Sequence, residues 1–287
     1  MPFRIVLFLL ISSLAHSELL EIETNDCIVH FLNDDFLIKQ VKDPNPDEQF
    51  LLVLEATGCA IAESLDLPIN RVKIIPPNTS FHGKKQLELP ATLHTRVPGA
   101  SIPESDLEVR IHQRTRKANN PNKWPLPPER EGLNPSIIET MATHDDLPGI
   151  VALDTFVGNA DRSQPNLFYD PATNRYFGID LAASFCSELG KAACEQLRRF
   201  EAQKRAFSTK ELRALAKYAN TLEQLLNLWP LEAIENLLLE NARKAGFEKS
   251  SPLWNRDVEE RIIFHRAVIQ SNHRSIVELI QLLKNFL

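Results

Sequence analysis

Short apolar runs separated by clusters of Asn, Asp and Pro fill the first hundred residues. Three early runs rich in Ile, Val, Leu and Phe have the length of β-strands: residues 19–23, 27–32 and 36–41. The Asn-Asp-Asp cluster at 33–35 is the clearest hairpin turn. Apolar positions then recur at helical spacing over 48–65, and residues 72–75 and 87–97 predict two further strands. This region is therefore predicted to form a small sheet with one helix.

Amphipathic helical patterns dominate the last eighty residues. Ser208 and Glu211 have the spacing of a capping box, and an apolar stripe follows them. Further helices are predicted over three segments: 231–245, 257–270 and 275–287. The pattern predicts an α+β protein with a β-rich lobe over 18–98 and a larger helical lobe over 99–287, divided near Pro98 and Gly99 and ending in a helical tail over 208–287.

Composition and charge exclude several classes of protein. The chain has 287 residues, of which 43% are hydrophobic and 24% charged, as expected of a globular protein with one large domain or two lobes. Its formal net charge of −6 argues against a general nucleic-acid binder, because such proteins need a strongly basic face. The four cysteines form no Cys-x-x-Cys pair, which argues against zinc, and they are predicted to be small buried side chains.

The N-terminal segment 1–17 has the three parts of a secretion signal. A single Arg is followed by an apolar run at 5–11 and by small residues near position 17. The prediction is a signal peptide and a secreted or extracytoplasmic protein. The alternative is a first buried strand or helix, in which case the protein is cytoplasmic.

The stretch 101–134 mixes basic residues with prolines, which predicts a long solvated loop. Its basic residues cluster over 110–123. They form either an ordinary wet surface or a contact with an anionic substrate or a membrane surface.

Polar residues that can carry chemistry are concentrated over 154–185. Two strand-like runs at 167–169 and 176–179 flank a turn, so a hairpin would place Asn166 just before it and Asp180 just after it. Asp161 lies on the loop leading into this hairpin. Phosphoryl transfer from a nucleotide requires one carboxylate that orients or deprotonates the acceptor, together with Asn and Asp ligands for Mg²⁺. The spacing from Asp161 to Asn166 equals that of a kinase catalytic loop.

The motif Gly-Asn-Ala-Asp-Arg-Ser-x-x-Asn at 158–166, followed by Gly-Ile-Asp-Leu at 178–181, resembles the catalytic core of the phosphatidylinositol 3-/4-kinase superfamily. The type II phosphatidylinositol 4-kinase and HipA-like branches of atypical kinases are the most similar. The resemblance implies a bilobal protein-kinase-like fold. It implies that Asp161 is the catalytic aspartate and that Asn166 and Asp180 bind metal, with supporting roles for Asp154, Asn159 and Arg162.

A kinase also needs a Lys on the third strand and a Glu on the following helix. Lys39 lies within the apolar pattern of the third strand. The segment after Glu55 resembles the corresponding helix of these families, which favours Glu55 as the partner, with Glu48 as the alternative. The resemblance also implies that the adenine edge bonds to the backbone near Thr95 and Val97. The sequence departs from the family in having no Gly-rich loop between its first strands.

The leading hypothesis is therefore a phosphotransferase that uses ATP with Mg²⁺ or Mn²⁺ and an alcohol group as acceptor. The acceptor is a hydroxyl of an inositol lipid or, in a HipA-like kinase, a protein Ser or Thr. A pseudokinase that binds nucleotide without turnover is the alternative from another class, and a helical scaffold with coincidental motifs is the third.

Overall fold

The computed structural model describes most of the chain. The described residues are 21–23, 27–32, 34–42, 45–81, 85–101, 133–162, 166–250 and 254–287. The predicted signal segment 1–17 and the basic stretch 110–123 lie outside them. Within the described residues the fold is α+β, with a small antiparallel sheet and one long helix preceding a larger helical part. The predicted fold class is therefore confirmed.

Five antiparallel strands form the main sheet, in the order β1-β2-β3-β7-β4. They are β1 (Glu21–Glu23), β2 (Cys27–Phe31), β3 (Phe36–Val41), β4 (Val72–Ile75) and β7 (Ala91–Thr95). Side chains alternate between the two faces of a strand. Ile38 is therefore buried against Leu87 and Ala91 on one face of β3, and Lys39 points to the other.

Helix α1 (Pro46–Glu63) connects β3 to β4 and packs against β4 and β7. Nearly every side chain in its second half is buried, and Glu55 is only 1% exposed. A helix that is apolar on most sides belongs inside a protein. Here the sheet covers one side of α1 and the C-terminal helices cover the other.

The prediction of one strand over 87–97 is wrong about where that strand begins and ends. Lys85–Leu87 is β6, which pairs with β5 (Thr79–Phe81) in a separate hairpin, and β7 begins only at Ala91. Pro90 lies between β6 and β7. Proline lacks a backbone N–H and interrupts a strand ladder, so the apolar run is divided there.

A second, three-stranded sheet begins where the chain leaves the first one. β8 (Ala100–Ser101) pairs with β9 (Leu167–Asp170), which pairs in turn with β10 (Arg175–Gly178). The β9–β10 hairpin agrees with the hairpin predicted from the sequence to within one residue at each end. Asp170 closes its turn by accepting hydrogen bonds from the Ala172 N–H and the Thr173 hydroxyl.

Six helices follow in the described part of the helical lobe. They are α2 (Pro135–Met141), α3 (Leu147–Val157), α4 (Leu189–Ala202), α5 (Thr209–Leu228), α6 (Leu231–Lys244) and α7 (Arg256–Lys284). The predicted capping box is present at the start of α5, where Ser208 and Glu211 bond to each other's backbone N–H. Helices α2, α3 and α4 were not predicted. Helix α3 is almost wholly buried, so its sequence lacks the polar face that marks a surface helix.

The two C-terminal helices predicted over 257–270 and 275–287 are one continuous helix, α7. Residues 271–274, between the two predicted segments, are all polar. Asn272 is nevertheless buried, because its amide donates to the carbonyls of Thr155 and Phe156 and its oxygen accepts from the Gly190 N–H. A buried polar side chain with its hydrogen bonds satisfied is stable inside a helix interface.

All four cysteines are free, and two of them, Cys59 and Cys194, are buried. Across the described residues, no helix combines the length and the apolar character needed to cross a membrane.

His265 of α7 makes the stability of the fold sensitive to acid. Burial lowers the pKa of His265 to about 4, although its Nδ1 lies 2.9 Å from the Phe185 carbonyl. The unfolded chain binds a proton at this residue below about pH 6.5, whereas the folded chain does so only near pH 4. This histidine therefore lowers the free energy of unfolding as the pH falls through that window, by roughly 1.4 kcal/mol per pH unit.

We expect His265→Asn to remove this dependence while keeping a donor for the Phe185 carbonyl. Between pH 6.5 and 4.5 the wild type should lose roughly 2–3 kcal/mol relative to the variant, since the other titrating groups are common to both proteins. Urea unfolding of both proteins at several pH values measures the difference. Parallel pH profiles would show that His265 is not buried as a neutral ring.

Candidate active site

Lys39 and Glu55 form an ion pair between the sheet and α1. The Nζ of Lys39 lies 3.2 Å from Oε2 of Glu55, and their side chains are 21% and 1% exposed. Of the two glutamates considered as partners, Glu55 is thus the one that contacts Lys39. Burying an isolated charge in an apolar environment costs free energy, and the pairing of Lys39 with Glu55 offsets that cost for both residues.

Asp180 completes a three-residue charged cluster. It follows β10 by two residues, and its Oδ1 lies 3.6 Å from Nζ of Lys39. Its φ of 59° is in the left-handed region, which Asp tolerates better than most residues. The side chain of Asp180 is 38% exposed, so the cluster opens to solvent on this side. Residues 39, 55 and 180 are therefore brought together from a strand, a helix and the exit of a hairpin.

The charges in this cluster shift one another's pKa values. Burial opposes the charge on Lys39, but Asp180 and Glu55 outweigh it and raise the pKa of Lys39 above its ordinary value. Lys39 in turn lowers the pKa of Asp180, against the effect of burial. Burial raises the pKa of Glu55 to about 7, a shift that Lys39 opposes. At neutral pH the cluster thus holds a charged lysine beside an ionised Asp180.

His94 lies on the other side of Glu55 and bonds to Asn70, and no sequence pattern indicated either residue. Nδ1 of His94 lies 3.9 Å from Oε1 of Glu55 and 3.1 Å from Nδ2 of Asn70. Nε2 of His94 lies 2.8 Å from the hydroxyl of Thr92. Burial, together with the charge of Lys39, lowers the pKa of His94 to about 3, so the ring is neutral. Because the His94 ring is neutral, Lys39 is the cation that pairs with Glu55.

The buried side chain of Arg162 connects helix α3 to both ends of the β9–β10 hairpin. It is wholly buried and donates from Nε and Nη2 to the two carboxylate oxygens of Asp154, each at 2.9 Å. Its Nη1 donates to the carbonyls of Asn166 and Ile179. Asn159 adds a 2.8 Å hydrogen bond to Asp154. The three supporting residues of the predicted motif thus fix the backbone on either side of the hairpin.

A hydrogen bond joins the side chain of Asn166 to the backbone of Asp161. Nδ2 of Asn166 donates to the carbonyl of Asp161 at 3.0 Å, and the Asp161 N–H lies 3.4 Å from Oδ1 of Asn159. Arg162 is next in sequence and anchors both ends of this turn. Hydrogen bonds among the described residues of the motif therefore hold Asn166 against the backbone of Asp161.

The donor set fits a magnesium ion that is bound mainly by nucleotide phosphates. Mg²⁺ prefers oxygen ligands and is held in kinases by one or two side chains, phosphates and water. Asp180 supplies an ionised and accessible carboxylate, and no described residue donates to Oδ1 of Asn166. No three His, Cys, Asp or Glu side chains in the described ranges are grouped as a metal site of their own.

Thr95 and Val97 differ in what their backbones can offer an adenine edge. The Thr95 N–H already donates to the Arg71 carbonyl at 2.9 Å, and the Thr95 hydroxyl accepts from the Arg71 N–H. Val97 makes no backbone hydrogen bond to another described residue. Of the two predicted positions, Val97 is the one with backbone groups open to a ligand.

A surface cavity of about 200 Å³ lies away from this cluster, between the end of α1 and β10. Two of its lining residues are arginines, but Arg71 lies near Glu63 and Asp66, and Arg175 pairs with Asp146. These side chains are partnered within the protein, so the charged cluster around Lys39 is the stronger candidate for chemistry.

A sheet lobe with a Lys–Glu pair, followed by a helical lobe that presents an aspartate after a hairpin, defines a protein-kinase-like fold. No protein-family model matches the sequence, and the curated proteins include no similar chain. Three solved structures are similar to this chain: a kinase, a protein of a toxin–antitoxin system and an aminoglycoside phosphotransferase.

The first is the Helicobacter pylori proinflammatory kinase CtkA, with 13% identity, 92% of this chain and 95% of that chain covered, and a TM-score of 0.45. The second is HipA of Shewanella oneidensis MR-1 in complex with HipB and operator DNA, with 11% identity, coverages of 87% and 60%, and a TM-score of 0.44. The third is the ADP-bound aminoglycoside phosphotransferase APH(2'')-Ib, with 11% identity, coverages of 96% and 99%, and a TM-score of 0.33. At these values the similarities assign the chain to no family.

Proposed function

We propose that this protein is a kinase that transfers the γ-phosphoryl group of ATP to a hydroxyl acceptor in the presence of Mg²⁺ or Mn²⁺. One observation carries the proposal. Nζ of Lys39 lies within 3.6 Å of both Glu55 and Asp180, three residues that are far apart in sequence. A positive charge fixed between two carboxylates, one buried and one accessible, suits the binding of metal-bound phosphates.

Each residue has a distinct role in this reaction. Lys39 neutralises phosphate charge, and Glu55 keeps its ammonium in place. Asp180 and Asn166 would hold the metal ion, which supplies further neutralisation of the phosphates. Asp161 orients the acceptor hydroxyl and accepts its proton as the new P–O bond forms and the bond to the β-phosphate oxygen breaks, which releases ADP. The backbone of Val97, with Thr95 beside it, would meet the adenine edge.

The activity is tested by incubating the purified chain with labelled ATP, Mg²⁺ or Mn²⁺, and separate panels of lipid and protein acceptors. We expect label transfer by the wild type and a loss of roughly 10²–10⁴-fold in Asp161→Asn, the range for removal of a general base. Nucleotide should still raise the melting temperature of this variant.

Asp145→Asn is the matched control, because that carboxylate is 89% exposed and pairs with Lys217 on the surface. It should behave as the wild type. Undiminished turnover in Asp161→Asn would contradict the role of Asp161. Nucleotide binding without any turnover in the wild type would favour the pseudokinase.

The acceptor class is the finer part of the proposal. An inositol lipid would suit the basic residues of 110–123 and a contact with a membrane surface, and a protein Ser or Thr would suit a HipA-like kinase. Neither acceptor is favoured by a contact among the described residues. Label that appears only on lipid, or only on protein, in the two panels decides between them.

Export of the protein is part of the proposal and rests on the sequence of residues 1–17. Removal of such a leader would leave a chain that begins near Glu18. The kinase would then act on acceptors outside the cytoplasm, where ATP must be supplied to it.

A further inference from the structure

Helix α1 is fastened to the C-terminal helices along one stripe. Phe50, Thr57 and Ser64 recur at seven-residue intervals, with Ser64 one residue beyond the helix end. Residues spaced by seven lie on nearly the same face of an α-helix. Each of these three side chains contacts a residue of the C-terminal region. The stripe therefore joins the small lobe to the end of the chain.

The contacts at Phe50 and Thr57 are buried. The ring of Phe50 stacks on His265 of α7 at 5.6 Å with an interplanar angle of 11° and meets Phe247 edge-on at 5.6 Å. Nδ2 of Asn241 in α6 donates to the Thr57 hydroxyl at 3.0 Å, and that hydroxyl donates to the Val53 carbonyl. Thr57 is fully buried and Asn241 is 6% exposed.

The third contact lies at the surface. Nε1 of Trp229, at the end of α5, donates to the Ser64 hydroxyl at 2.7 Å. Exposed hydrogen bonds contribute little because water competes for both groups. The two buried contacts therefore carry most of the attachment.

Glu55 lies on the opposite side of α1 from this stripe. It is two residues from Thr57, and two residues correspond to about 200° around an α-helix. The C-terminal helices thus pack against one side of α1, while Glu55 faces Lys39 on the other side. A rotation or outward shift of α1 would break the Asn241–Thr57 hydrogen bond and the Lys39–Glu55 pair together.

The segment after Asp180 is short and packed. Only residues 181–188 separate Asp180 from α4, and the two hydroxyls among them, on Ser184 and Ser187, belong to side chains that are at most 1% exposed. A Cβ added to Gly58 of α1 would lie 2.5 Å from Oγ of Ser184, so the helix and the segment are in direct contact. In protein kinases, phosphorylation of an activation loop controls the position of the helix that bears the Glu. Here these two serines are inaccessible to a modifying enzyme.

We propose that Asn241 is a positioning residue that acts through Thr57, and that the C-terminal helices α6 and α7 hold Glu55 against Lys39 without phosphorylation of residues 181–188. This inference rests on the proposed kinase function. It gives the C-terminal region an indirect role at the nucleotide site, through the contact of Asn241 with Thr57.

The test uses the full chain and two variants of the buried contact, Asn241→Ala and the milder Thr57→Val. We expect each to weaken the affinity for ADP with Mg²⁺ by about tenfold and to accelerate amide exchange in α1 more than in α3 or α5. In a Glu55→Gln background, Asn241→Ala should cause no further loss of affinity, because its effect passes through the Lys39–Glu55 pair. Wild-type protein treated with a phosphatase should bind ADP unchanged.

Lys244→Ala is the control, since Lys244 lies three residues further along α6 and pairs with Glu240 on the surface. Additive losses in the Glu55→Gln background, or faster exchange spread evenly over all helices, would overturn the positioning role. So would a loss of affinity after phosphatase treatment. If the wild type binds no nucleotide, the kinase proposal fails, while amide exchange in α1 still decides whether Asn241 holds the helix.

Discussion

Asp180→Asn is expected to abolish the metal dependence of nucleotide binding and to reduce turnover by roughly 10³-fold, the scale for removing one preorganised group from a site. The wild type should bind ADP more tightly with Mg²⁺ than with EDTA, and the variant should bind equally under both conditions. The reason is electrostatic. Asp180 is the accessible carboxylate of the cluster, and Lys39 keeps it ionised at neutral pH. Calorimetric titration of ADP under the two conditions measures the effect.

The chain offers a closely matched control in Asp66. Its φ is 50°, so it shares the left-handed backbone of Asp180, and its side chain is 96% exposed near Arg71. Asp66→Asn imposes the same chemical change at the same kind of backbone position. It should leave both titrations unchanged. A persistent metal effect in Asp180→Asn would remove Asp180 from the list of ligands and leave its role as a partner of Lys39.

Asp154→Ala is expected to lower the free energy of unfolding by about 3–5 kcal/mol, the cost of leaving one member of a buried ion pair without its partner. Both Asp154 and Arg162 are completely buried, and two hydrogen bonds of 2.9 Å join them. The Arg162 guanidinium would keep its charge, because burial alone does not neutralise arginine at neutral pH. Chemical unfolding monitored by circular dichroism measures the loss.

Two variants make this prediction specific. Arg256→Ala removes an exposed pair with Glu260, whose N–O distance is 2.7 Å, and should cost no more than about 1 kcal/mol. The double change Asp154→Leu with Arg162→Met removes both buried charges and should recover part of the stability. It should not recover activity, because Arg162 also donates to the carbonyls of Asn166 and Ile179 at the two ends of the hairpin. A cost below 1 kcal/mol for Asp154→Ala would mean that water reaches this pair in solution.

Local patterns predicted much of the fold because they reflect local physics. The strand at β3 followed from an apolar run with one charge, the start of α5 from a capping box, and the β9–β10 hairpin from turn residues between two short strands. The same reasoning failed where tertiary contacts override local preference. Helix α3 has no polar face to reveal it, and α7 continues through Asn272 because other helices supply partners for that side chain.

The residues of the candidate site were likewise only partly predictable from the sequence. The sequence indicated Lys39, Asp161, Asn166 and Asp180, since charged and amide groups in these settings suit metal and phosphate chemistry. It named Glu55 only through a resemblance, with Glu48 as an alternative. The structure selects Glu55, because the side of α1 that faces β3 carries this residue. No sequence pattern indicated His94 or Asn70, because His94 approaches Glu55, and Asn70 bonds to His94, only after the strands have paired.

The sequence by itself thus determined the order of a small β-rich lobe and a larger helical lobe and the types of residue available for chemistry, since spacing and polarity are local properties. Tertiary structure alone decided which charges meet. The approach of Lys39 to both Glu55 and Asp180, the burial of Arg162 with Asp154, and the attachment of α1 to Asn241 join residues that are up to 184 positions apart. Such contacts depend on how the helices and strands pack, and no local pattern encodes that packing.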